Sequence, residues 1–127
     1  MNILIVDNNP QKVQDLVNIL LNLNERNITW LTDPDEAINA IELSRKLSIF
    51  DLLILDYTYA EVRDGNYVKG TGSYMIDELK DLGVHIPTAI YSRVYVPPLD
   101  YDILQILTYA PTVSLEDSVK EALSKIK

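Results

Sequence analysis

Cysteine is absent from the 127 residues, which removes disulfides and thiolate metal sites and leaves no sign of an oxidising compartment. The single histidine, His85, precedes Ile86-Pro87 in a loop setting that favours a structural role over catalysis, so zinc lacks its usual ligands. Long apolar runs are missing as well. The opening Met1-Asn2-Ile3-Leu4-Ile5-Val6-Asp7 has no basic stretch, and its apolar run is too short for a signal peptide or a membrane span. Basic residues are few and scattered: 11 Lys and Arg stand against 19 Asp and Glu, and a net charge of −8 repels a phosphate backbone. The expectation is a cytoplasmic chain with no direct nucleic acid binding and no membrane contact. Glycine is also sparse, at four residues. Gly65 and Gly70 have the offset of a phosphate loop, but Thr71 stands where that motif requires lysine, so a P-loop is excluded.

What is present is a core. A hydrophobic content of 47% suffices for one domain spanning 1–127. Asn2 to Val6 is a short apolar run of the kind buried on both faces of a parallel sheet. Asn9-Pro10 reads as an N-cap with proline in the first turn, and Val13, Leu16, Val17 and Leu20 follow at helical spacing. Ile28 to Leu31 is a second strand. Asp33-Pro34-Asp35-Glu36 has capping-box order and opens a helix that runs to about Leu47. Leu52-Leu53-Ile54-Leu55, ending at Asp56, is the strongest strand signal in the chain. Residues 57–71 read as a long exposed loop, and Met75, Ile76, Leu79 and Leu82 mark a third helix stopped by Gly83. Pro87 to Tyr91 is a fourth strand. Leu99 to Leu107 has the composition of a short helix, with a fifth strand within Ile106 to Val113. Ser114-Leu115-Glu116-Asp117 then caps a final helix whose apolar stripe is Leu115, Val119, Ala122, Leu123 and Ile126.

Strands alternating with helices predict an α/β fold with a doubly wound, five-stranded parallel sheet. In such sheets ligands bind beyond the carboxyl ends of the strands, where strand order reverses. Those ends carry Asp7-Asn8, Asp56 and Ser92. With a strand order of 2-1-3-4-5, Asp7, Asn8 and Asp56 converge on one pocket of oxygen ligands, which suits a hard ion such as Mg²⁺. A cofactor binder of the flavodoxin kind needs a hydroxyl-rich loop after the first strand, and Asp7-Asn8-Asn9-Pro10 offers carboxylate and amide instead. As single residues, Asp7, Asn8, Asp56 and Ser92 are equally at home as turn or cap residues at strand ends.

Three segments, Ile3 to Pro10, Phe50 to Asp56 and Pro87 to Ser92, resemble the receiver domain of bacterial response regulators, and the likeness extends over nearly the whole chain. The resemblance implies a flavodoxin-like receiver topology in which Asp56 is the phosphoacceptor for a sensor histidine kinase or phosphotransfer protein. It also implies Mg²⁺ held by Asp7, Asn8, Asp56 and the backbone carbonyl of Thr58, with Ser92 as the switch hydroxyl. A metal bridging Asp56 to the incoming oxygens would relieve the repulsion between two anions and orient in-line attack. The expected partners are the kinase and a downstream protein target, with a homodimer left open, and no catalysis beyond the domain's own phosphotransfer and dephosphorylation.

Two departures stand out. Receivers carry a lysine near the end of the fifth strand, and this chain has none between Lys80 and Lys120; Ala110-Pro111 is the nearest match. Asn8 stands where a metal-binding carboxylate is usual, which weakens an Mg²⁺ site by one charge. Arg93, after Ser92, could supply a guanidinium but reads more simply as a surface charge. The leading reading is a stand-alone receiver that signals by phosphorylation of Asp56, and the alternative is a pseudo-receiver that binds its partner without phosphorylation. An enzyme working through an aspartyl-phosphate lacks an evident acid or base partner.

Overall fold

The computed structural model describes residues 1–44, 50–57, 61–63, 66–68, 71–92, 101–109 and 114–126. The order of elements is β1 (Asn2–Val6), α1 (Pro10–Asn22), β2 (Asn27–Leu31), α2 (Pro34–Ser44), β3 (Leu52–Asp56), β4 (Glu61–Arg63), β5 (Asn66–Val68), α3 (Thr71–Asp81), β6 (Thr88–Ser92), β7 (Ile103–Thr108) and α4 (Leu115–Ser124). Five strands form one parallel sheet in the order β2-β1-β3-β6-β7, the expected arrangement. The central strands are mostly apolar because helices cover both faces. Side-chain alternation sends Ile3, Ile5, Leu52, Ile54, Ala89 and Tyr91 towards α1 and α4. Leu4, Val6, Leu53, Leu55 and Ile90 go to the opposite layer, against α2 and α3.

Local signals fix the helix ends. Asn9 caps α1, its side chain accepting from the Lys12 amide at 3.1 Å, and Pro10 holds the first turn. Ser114 caps α4 by accepting from the Asp117 amide at 3.3 Å. Gly83, at φ 67°, stops the chain after α3 in the left-handed conformation that glycine adopts without strain. The Tyr74 hydroxyl on α3 donates to Asp35 on α2 at 2.5 Å, and that bond to a carboxylate pushes the phenol up to about 12.

Two expectations need correction. The stretch 57–71 carries an antiparallel pair, β4 with β5, so it is not loop throughout. Of the segment read as a short helix, Leu99 to Leu107, the part from Ile103 onwards is instead strand: the edge strand β7 runs Ile103–Thr108, starting three residues before the range expected for the fifth strand, and residues 99–100 and 110–113 lie outside the described residues. The second helix is seen as far as Ser44, and its expected end at Leu47 lies outside the described residues.

Gly72, in the first turn of α3, packs against the end of β3. A Cβ there would lie 2.8 Å from the Asp56 carbonyl oxygen and 3.0 Å from the Tyr57 Cα, both backbone atoms that cannot give way locally. Alanine normally favours a helix interior over glycine by about 1 kcal/mol. Here the sign should reverse: Gly72→Ala is expected to destabilise by about 1–3 kcal/mol, the range of overpacked sites, measured by urea unfolding. A variant as stable as the parent would show that α3 does not press on β3.

Candidate functional site at the strand ends

Register builds the site. Val6 of β1 pairs with Leu55 of β3, so one step further the chain sets Asp7 beside Asp56, on the face that looks towards α1. Asp56 pairs in turn with Tyr91 of β6. Asp7 is 1% exposed and Asp56 8%. Two carboxylates buried on adjacent strands repel each other and demand a compensating charge.

Lys12 supplies that charge. It lies in the first turn of α1, is 2% exposed, and extends its ammonium over the strand ends. Nζ donates to Asp7 Oδ2 at 2.6 Å, to Asp56 Oδ1 at 2.8 Å and to the Tyr91 carbonyl at 2.9 Å. Three protons therefore meet three acceptors, and the ammonium has none left to offer. Nζ also stands 4.4 Å from the centroid of the Tyr91 ring, in cation–π range. The Tyr91 hydroxyl donates to the Lys12 carbonyl at 2.9 Å, so the two residues clasp each other at both ends. Edge-on, Tyr91 meets Tyr109, whose hydroxyl donates to Asp15 of α1 at 2.6 Å. The ammonium thus ties β1, β3 and β6 to α1, and the tyrosines carry the tie past the end of β7.

The other expected residues fall around this centre. Asn8 is exposed. The Asp7 side chain accepts from the Asn9 amide at 2.9 Å, and its carbonyl accepts from the indole of Trp30 at 2.7 Å. Trp30, the only tryptophan, is 43% exposed and sits at the rim. Ser92 is buried one residue past the register partner of Asp56, and its carbonyl accepts from the Tyr109 amide at 2.9 Å. Thr58, Arg93 and Ala110-Pro111 lie outside the described residues. His85 stays away from the site, exposed and paired with Asp102 at 3.1 Å.

The donor set does not fit Mg²⁺ as it stands. The position that both carboxylates face is taken by the Lys12 ammonium, 2.6 Å from Asp7 and 2.8 Å from Asp56, so a divalent cation would have to displace a cation attached to the chain itself. Among the described residues no group of three or more His, Cys, Asp or Glu side chains is arranged to hold a metal.

Lys12 escaped the sequence reading, although a signal was there. Positions 12, 16 and 20 share one helix face, and Leu16 and Leu20 are core residues, so a lysine at 12 stands on the buried stripe. A cation in a first helical turn also opposes the helix dipole, a cost that an anionic partner offsets.

Removing the ammonium should leave two buried carboxylates without their counterion. Lys12→Met, which keeps the alkyl packing, is expected to lose about 3–5 kcal/mol, and Lys12→Met with Asp56→Asn should lose less than the single change. Denaturant unfolding measures both. A Lys12→Met protein as stable as the parent would mean that the charges are not coupled.

No protein-family model matches the chain, and no curated protein matches its sequence. Solved structures do match. The pseudo-receiver domain of the CikA protein superposes with a TM-score of 0.62 at 11% identity, over 98% of this chain and 95% of that one. The receiver domain of the histidine kinase CKI1 from Arabidopsis thaliana, complexed with Mg²⁺ and BeF₃⁻, superposes with a TM-score of 0.61 at 16% identity, over 97% and 89%. The chain has the receiver fold.

Proposed function

We propose that this receiver-fold chain works as a pseudo-receiver, a cytoplasmic protein-interaction module of two-component signalling that engages its partner without phosphorylation of Asp56. One observation carries the reading: the Lys12 ammonium bonded to both Asp7 and Asp56. Phosphoryl transfer to a carboxylate needs the charge on the incoming oxygens neutralised and the nucleophile free to attack in line. Here Asp56 Oδ1 is held by a cation whose three protons are committed to protein acceptors, and the residue is only 8% exposed. The missing fifth-strand lysine and Asn8 point the same way. Partner contact then depends on a surface of fixed shape, and no reaction is assigned to the chain.

Retention of Asp56 at the end of β3 favours the competing reading, a stand-alone receiver phosphorylated by a sensor histidine kinase with Ser92 as the switch hydroxyl. The two readings separate in solution. Incubated with Mg²⁺ and acetyl phosphate, the protein should keep its intact mass, and Mg²⁺ with beryllofluoride should leave the amide NMR signals of Asp7, Asp56 and Ser92 in place. Addition of one phosphoryl group, lost in Asp56→Asn, would overturn the pseudo-receiver reading in favour of the receiver.

A further inference from the structure

We infer that Lys12 is a built-in counterion which makes the strand-end site self-occupied and its stability independent of divalent cations; the inference rests on the pseudo-receiver reading. The donor set belongs to a cation. Two buried carboxylates and a backbone carbonyl point at one position, and a covalently attached ammonium fills it at 2.6–2.9 Å. Tethering changes the physics of occupancy. A free ion must be taken from solution and stripped of water at each binding event, whereas the ammonium is present at a high effective concentration fixed by the fold. The lysine stem is itself buried, so its packing and the 4.4 Å contact with Tyr91 add to its hold on the site.

The same arrangement fixes the conformation around it. In a site filled by an exchangeable ion, filling and emptying alter the charge at the ends of β1, β3 and β6. Here the charge is constant, and Tyr91 hands the constraint to Tyr109 and Asp15. The module is locked in one state by its own sequence, and position 12 is the residue that decides whether the site listens to the ionic composition of the solvent.

The test compares the parent protein with Lys12→Met by thermal unfolding in EDTA and in millimolar Mg²⁺ or Mn²⁺. The parent should melt at the same temperature in both. Lys12→Met should melt lower in EDTA and rise by about 5 °C at a tenfold excess of ion over its dissociation constant. That response should vanish in Lys12→Met with Asp56→Asn. Mn²⁺ provides a second readout on the parent: amide signals of Asp7 and Asp56 and the Trp30 indole signal should stay sharp, because no paramagnetic ion enters. If Lys12→Met does not fold, the parent's Mn²⁺ spectrum decides, sharp signals supporting the inference. A folded Lys12→Met indifferent to both ions overturns the inference and leaves the pseudo-receiver reading standing. Stoichiometric broadening of the parent signals overturns the inference, and phosphorylation by acetyl phosphate is what overturns the reading beneath it.

Discussion

Two carboxylates buried side by side at the ends of parallel strands cannot stand without a positive charge between them, and here that charge is carried on a helix of the same chain. The geometry follows from few choices. Parallel pairing puts Asp7 next to Asp56, and the short turn through Asn9 and Pro10 starts α1 directly over the sheet. The apolar stripe of α1 then turns position 12 inwards. A lysine is the residue whose reach and three donors satisfy both acids and the Tyr91 carbonyl together.

Burial gives this cluster its weight. An exposed lysine–aspartate pair contributes at most about 1 kcal/mol, because water screens it and the side chains lose freedom. Lys12, Asp7 and Asp56 are nearly out of solvent, so breaking the set strands a charge in a poor dielectric. A buried ion cluster is weak evidence for high net stability, since an apolar replacement of the whole set can be as stable. Its consequence is specificity of arrangement, with three strand ends and one helix held in a single register. Tyr91, clasped to Lys12 at both its ring and its hydroxyl, extends that arrangement to α1 and the edge of the sheet.

The sequence announces the sheet more clearly than the site. β1, β3 and β6 are short apolar runs ending in polar residues, which is what burial on both faces imposes, and their carboxyl ends were legible from that alone. β7 was not. As an edge strand it is only partly covered, its mixed pattern overlaps a helical one, and its pairing with β6 is irregular at Thr88/Ala89. β4 and β5 are three residues each, too short for alternation to register. Asp7 and Asp56 were expected together and are bridged by one cation. Lys12 stayed hidden because lysine is read as a solvent-facing residue, and only its phase relative to Leu16 and Leu20 contradicts that habit.

The most direct measurement is side-chain NMR of Lys12 with its ammonium nitrogen labelled, in the parent protein at neutral pH with Mg²⁺ present. The account predicts a slowly exchanging ammonium signal with scalar couplings across hydrogen bonds to the carboxyl carbons of both Asp7 and Asp56. A fast-exchanging ammonium that couples to neither acid would contradict it.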